Sequence, residues 1–114
     1  MNEQDVMHRL RLLEYHQKLL VQLVANPQLD FLKKIVEKGI SEQEVEAFFK
    51  LCDELTLQME EQKAEGFMLF YPLYHKFTAS LPKNLQADEA VTSCLNQNLY
   101  LDLMLEFEKY FQRS

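Results

Sequence analysis

The chain has 114 residues, of which 47% are hydrophobic and 26% charged, with only two glycines and three prolines. So few turn-forming residues exclude a β-sandwich or barrel, and the composition excludes a disordered chain. The formal net charge of −6 argues against a nucleic-acid partner held through phosphate contacts. We predict one all-α domain over residues 1–114, a bundle of five or six helices of which two or three are long and amphipathic.

The first predicted helix covers residues 3–25. Its apolar residues recur at alternating spacings of four and three, which is typical of a coiled-coil seam. A second apolar line lies beside this seam, so the apolar face is wider than that of a strict coiled coil. The seam consists of Val6, Leu10, Leu13, Gln17, Leu20 and Val24, and the second line consists of Leu12, His16, Leu19 and Leu23.

The pair Asn26–Pro27 predicts a corner between the first helix and a short second one. Proline disfavours the helical conformation in the residue before it and is well suited to the first position of a new helix. The second helix is therefore predicted over about 27–38. Gly39 suits the left-handed residue that ends such a helix.

The third predicted helix begins at Glu42, because Ser41 and Glu44 form an S-x-x-E capping box, and it ends near Gly66. Together with the second helix it resembles the turn of a helix-turn-helix DNA reader. The charge opposes that function, since residues 41–65 carry 2 basic and 8 acidic side chains, and we predict no nucleic-acid binding. Its acidic face is either solvated or a docking surface for a basic protein partner. This face consists of Glu42, Glu46, Asp53, Glu60 and Glu61.

Residues 67–81 are rich in aromatic side chains and predict a helix over about 70–80, with Pro72 in its first turn. This helix carries an aromatic–polar cluster. Its tyrosine rings either cover the core while their hydroxyls reach water, or line a small ligand pocket and take part in acid–base chemistry. The cluster consists of Tyr71, Tyr74 and His75.

From about Leu85 the chain is predicted to be helical again, with a kink or a division at residues 96–98. Residues 99–107 alternate between leucine or phenylalanine and mostly polar residues, a pattern also typical of a strand. Leu, Met, Glu and Lys favour a helix, and no partner strand exists elsewhere, so we predict a helix.

This last helix is apolar around most of its circumference, so it must be buried by neighbouring elements on more than one side. We predict a homodimer formed mainly through helices, since two-fold dimers are the commonest oligomers, with a monomeric bundle as the alternative. The predicted dimer contacts are Leu99, Leu103, Phe107, Tyr110 and Phe111.

The cysteines, histidines and acidic residues do not have the spacings that metal binding or nucleophilic catalysis requires. Neither Cys52 nor Cys94 has another Cys or His at metal-ligand spacing, and the pair Asp5 and His8 occurs in one copy where a di-iron bundle needs two. No glycine-rich phosphate loop or nucleophile elbow is present. We therefore predict no cofactor and no metal.

The polar start of residues 1–5 and the lack of about 18 consecutive apolar residues predict a cytoplasmic protein without a membrane partner.

Four features of the chain are similar to those of the YhaI-like family, small uncharacterised helical proteins of Bacillus-type bacteria. They are the leucine-rich first helix, the Asn26–Pro27 corner, the Gly39–Ile40–Ser41 turn and the aromatic segment from Gly66 to Pro72. The resemblance covers the whole chain and rests on layout and length. It implies an all-helical cytosolic protein without an assigned activity, and it supplies no catalytic or binding residues.

From these observations we predict a non-catalytic helical interaction protein that self-associates. A regulatory protein is one kind of interaction protein that fits this prediction. The alternative is a small-molecule-binding protein or an enzyme that uses the region around Tyr71 and His75.

Overall fold

A computed structural model describes residues 2–111 and contains six helices and no strand within that range. The helices are α1 (Glu3–Ala25), α2 (Asp30–Glu37), α3 (Glu42–Ala64), α4 (Tyr71–Ala79), α5 (Ala87–Asn96) and α6 (Leu101–Phe111). The predicted all-α class and number of helices are confirmed, and the alternating segment 99–107 is helical from Leu101 onward. Helices α1 and α3 have 23 residues each, about 34 Å at 1.5 Å per residue.

Helix α2 begins three residues later than predicted. The Asn26 Oδ1 accepts a hydrogen bond from the Gln28 backbone N–H at 3.2 Å, and the Asn26 carbonyl accepts one from the Leu29 N–H at 3.4 Å. Asn26 therefore holds both N–H groups in a turn in place of a helix, through its side chain for Gln28 and through its backbone carbonyl for Leu29. Residues 27–29 form that turn, and α2 starts at Asp30.

Three helices end at a residue in the left-handed backbone conformation. Gly39, Gly66 and Asn98 have φ angles of 66°, 96° and 62°. In each case the next N–H bonds to the carbonyl five residues earlier, which is the Schellman motif. The bonds join Ile40 N to Ile35 O (2.9 Å), Phe67 N to Gln62 O (2.9 Å) and Leu99 N to Cys94 O (2.8 Å). Asparagine tolerates this conformation better than other side chains, which explains the division between α5 and α6 predicted at residues 96–98.

The start of α3 is the predicted capping box. The Glu44 N–H donates to the Ser41 Oγ at 3.2 Å, and the Ser41 N–H donates to the Glu44 Oε1 at 3.1 Å. Both donors would otherwise lack a partner at the first turn.

Replacing Ser41 with alanine is expected to lower the free energy of unfolding by about 1 kcal/mol, the usual loss when a capping side chain is removed. Urea denaturation followed by circular dichroism measures the change, with Ser80→Ala at the exposed C-terminal end of α4 as the control. An unchanged denaturation midpoint for Ser41→Ala would contradict the capping role.

The core lies among α2 to α6, with α1 placed against its outside. Phenylalanine rings connect four of these helices: Phe31 lies 5.1 Å from Phe48, Phe48 lies 5.9 Å from Phe77, and Phe77 lies 4.9 Å from Phe107 between ring centroids. Leu19 is the one residue of α1 that is buried. Most of α1 is consequently a surface helix.

Candidate functional site

The second apolar line of α1 holds this helix against the rest of the chain. Leu19 is 7% exposed, and Leu12, Tyr15, His16 and Leu23 are half-buried. The His16 Nε2 lies 2.8 Å from the Ile40 carbonyl oxygen, so the imidazole connects α1 to the corner before α3. We call these five residues the inner line.

The predicted coiled-coil seam faces solvent instead. Seven large apolar side chains of α1 are between 44% and 86% exposed. At 100° per residue this seam and the inner line lie roughly 130° apart around the helix. The exposed side chains are Val6, Met7, Leu10, Leu13, Leu20, Val21 and Val24. An apolar stripe of this length on one helix is typical of an interaction surface rather than of scattered exposed residues.

Polar side chains border and interrupt this stripe. Gln17 occupies a seam position midway along it, while Arg9 and Glu14 are exposed on its two sides. Arg9 therefore borders one edge of the stripe, while Glu14 lies on the other flank of the seam, on the same line as Met7 and Val21.

A second exposed apolar surface lies between α3 and α4. The Schellman motif at Gly66 turns the chain outward, and Phe67, Met68 and Leu69 are exposed immediately after it. Phe70 is buried again, with the Lys63 Nζ 5.9 Å from the centre of its ring.

Two members of the predicted aromatic–polar cluster, Tyr71 and Tyr74, lie together on α4, with 6.2 Å between their ring centroids. The Tyr74 ring packs against Phe107 at 5.4 Å and Tyr110 at 5.3 Å, and Tyr71 lies 5.6 Å from Tyr110. Burial, with a smaller contribution from Tyr71, raises the pKa of Tyr74, so its hydroxyl stays neutral. His75 is exposed. The rings of Tyr71 and Tyr74 pack at the junction between α4 and α6. The ligand pocket expected near these residues stays a prediction.

The residues predicted as dimer contacts lie largely inside the chain. Leu103 and Phe107 are buried in the core, and Leu99, Tyr110 and Phe111 are half-buried against it. This corrects the prediction for Leu103 and Phe107, because α3, α4 and α5 of the same chain cover the apolar girth of α6. The exposed apolar residues of α6 are Leu101 and Leu105.

The predicted acidic face of α3 is exposed throughout. Its five members, Glu42, Glu46, Asp53, Glu60 and Glu61, all lie at the surface. One of them is engaged, since the Tyr100 hydroxyl donates to the Asp53 Oδ1 at 2.8 Å and also bonds to the Phe49 carbonyl at 3.2 Å. Burial and the bond to Asp53 raise the pKa of Tyr100, which keeps the hydroxyl a donor.

Residues 3–112 match the family model described as a protein of unknown function, DUF1878. The chain belongs to the DUF1878 family. The match spans all six helices, and the family description carries no activity, so the function of this DUF1878 chain has to be argued from its own surfaces.

The surface grooves of this DUF1878 chain are either small or lined by charged and polar side chains. The groove between α1 and the start of α3 has a volume of about 150 Å³, less than the roughly 300 Å³ at which ligand pockets begin. A groove of about 420 Å³ lies between α2 and α5. There Glu89 pairs with Lys38 at 2.9 Å and with Lys34 at 3.6 Å. The hydrogen bonds from Lys38 and from the Gln86 N–H lower the pKa of Glu89.

The two cysteines of the DUF1878 chain lie in its core, where they pack as apolar side chains. Cys52 and Cys94 are buried free thiols. Burial raises the pKa of Cys94 to about 12 and raises that of Cys52 as well, so neither is the thiolate that nucleophilic chemistry requires. Among residues 2–111, three or more His, Cys, Asp or Glu side chains nowhere gather closely enough to hold a metal ion. Within the same range no helix combines the length and apolarity needed to cross a membrane.

Proposed function

We propose that this protein is a non-catalytic helical interaction protein that self-associates through α1. The observation that carries the proposal is the exposed apolar stripe of seven large side chains on a helix that docks onto its own chain through a different face. Fully burying a Val or Leu side chain contributes about 1.5–3 kcal/mol. About half of that gain remains available for each half-exposed residue, in each of two copies. Over fourteen side chains, seven in each of two copies, this amounts to about 10–20 kcal/mol, of the same order as an association cost of about 4–15 kcal/mol.

The same surface argues against α6 as the main contact. Leu101 and Leu105 are the exposed large apolar residues of α6, two side chains against the seven of the α1 stripe. A contact through α6 would have to use core residues that the chain has already buried.

Two further parts of the proposal concern compartment and partner. Two buried free thiols support a reducing compartment such as the cytoplasm, and the resemblance to the YhaI-like family supports a bacterial source. The acidic face of α3 is the surface at which a basic protein partner would dock, because its charges are exposed along one helix. Self-association would present two such faces, which suits a regulatory role.

Size-exclusion chromatography with light scattering is expected to give a mass near twice 13.6 kDa at micromolar concentration. The apolar stripe supplies most of the association energy, so the dimer should persist at high salt and the mass should fall on dilution. A mass of 13.6 kDa throughout the micromolar range would contradict the proposed function.

A further inference from the structure

We infer that two copies of this chain pair their α1 helices in parallel and in register, with Gln17 facing Gln17 of the second copy. This inference rests on the proposed self-association and specifies its geometry. It follows from where the polar residues lie within the exposed seam.

The seam has the two alternating positions of a coiled-coil heptad. Leu10, Gln17 and Val24 occupy the first type, called a, while Val6, Leu13 and Leu20 occupy the second, called d. In a parallel pair in register each a residue faces the same a residue, so the amide of Gln17 meets another amide and both hydrogen-bond. In an antiparallel pair an a residue faces a d residue.

Every d position of the seam is apolar. An antiparallel pair would therefore bury the Gln17 amide against the side chain of Leu13, Leu20 or Val6, depending on the register. A buried amide without a hydrogen-bond partner is costly. A buried polar a residue is a known determinant of coiled-coil register, and here Gln17 favours the parallel arrangement. Glu3, the first residue of α1, also falls at an a position, and in this arrangement it would face Glu3 of the second copy at the solvent-exposed start of the pair.

The charges that border the stripe favour the same arrangement. Arg9 occupies the position before an a residue and Glu14 the position after a d residue, five residues further along. In a parallel pair this spacing places Arg9 of each copy beside Glu14 of the other, which gives two ion pairs across the contact. In the antiparallel pair with the greatest overlap, Glu14 would lie beside Glu14 and repel it.

The rest of the chain leaves room for this contact. The inner line docks α1 roughly 130° around the helix from the seam, and two of its members, His16 and Leu23, share the heptad position of Arg9. Each folded body therefore lies beside the seam of its own α1 on that flank and leaves the seam residues themselves exposed.

Cysteine cross-linking tests the orientation. A Leu10→Cys variant is expected to form a disulfide-linked dimer with itself under oxidised glutathione, and so is a Leu20→Cys variant. The two variants are then mixed, with a mass tag on one of them, and their subunits exchange before oxidation. A parallel pair links Leu10→Cys chains to each other and Leu20→Cys chains to each other. The antiparallel pair with the greatest overlap gives links between Leu10→Cys and Leu20→Cys chains alone. Cys52 and Cys94 are buried, so they do not compete, and Leu105→Cys on α6 is the exposed control that should cross-link slowly.

A charge exchange gives an independent measurement. Arg9→Glu and Glu14→Arg, each alone, are expected to raise the dissociation constant about 2-fold to 30-fold, because two exposed ion pairs become two like-charge pairs. The double variant should restore the wild-type value, and circular dichroism checks that each variant is helical.

The outcomes separate the two claims. A monomeric wild type overturns the proposed function and this inference with it. A dimeric wild type that gives links only between unlike positions, or whose double charge variant stays weakened, overturns the parallel arrangement while the self-association stands.

Discussion

Replacing Phe107 with alanine is expected to lower the free energy of unfolding by about 3–5 kcal/mol, the range for removing a buried aromatic ring. Phe107 is 0% exposed, and its ring lies 4.9 Å from Phe77 and 5.4 Å from Tyr74. The cavity would open where α4 and α6 meet, with α3 packed against both. Because a domain of this size has about 5–15 kcal/mol of stability in total, the variant should be close to unfolding at moderate temperature.

Urea denaturation followed by circular dichroism measures this loss, and Leu105→Ala is the matched control two residues away. Leu105 is 51% exposed, so its replacement should change the unfolding free energy by less than about 1 kcal/mol. If Phe107 instead lay at a contact between copies, Phe107→Ala would reduce the mass in solution and leave the chain stable. Equal losses for the two variants would also contradict the buried position.

Helix boundaries were predictable where they depend on neighbouring residues. The capping box of Ser41 and Glu44 and the left-handed position of Gly39 are properties of a few consecutive residues, and the structure shows both. The predicted start of α2 was wrong by three residues, although this boundary also depends on neighbouring residues. The Asn26 side chain bonds to the Gln28 N–H and forms a turn that proline spacing alone does not reveal.

Contacts between distant residues were not predictable in this way. The Gln97 Oε1 accepts hydrogen bonds from the Phe31 and Leu32 N–H groups at 2.9 and 3.4 Å, which caps α2 from 65 residues away. Tyr100 adopts a left-handed backbone conformation, with φ at 50°, and its hydroxyl bonds to α3. Neither interaction has a signal in the local pattern, since both depend on how the helices pack.

The role of α6 shows the limit of periodicity arguments. The pattern correctly indicated that α6 needs cover on more than one side, but it does not say whether that cover comes from the same chain. Leu103 and Phe107 are covered by helices of their own chain. For α1 the spacing identified both apolar lines, and only the structure shows that the more regular line is the exposed one.

Replacing Leu19 and Leu20 separately with alanine is expected to give opposite results, because the two adjacent leucines lie on different faces of α1. Leu19 is buried against the rest of the chain, so Leu19→Ala should lower the free energy of unfolding by about 2–3 kcal/mol. Leu20 is exposed in the seam, so Leu20→Ala should leave the unfolding of the monomer nearly unchanged. It should raise the dissociation constant of the dimer at least about tenfold, since the side chain is lost from both copies.

Urea denaturation at protein concentrations below the dissociation constant measures the first effect, and sedimentation equilibrium measures the second. Leu57→Ala, at an exposed leucine of α3, controls for a general loss of apolar surface and should change neither quantity. A loss of stability for Leu20→Ala with an unchanged dissociation constant would mean that the seam packs within its own chain. The folded body would then lie on the seam side of α1, and no face of this helix would remain for a second copy.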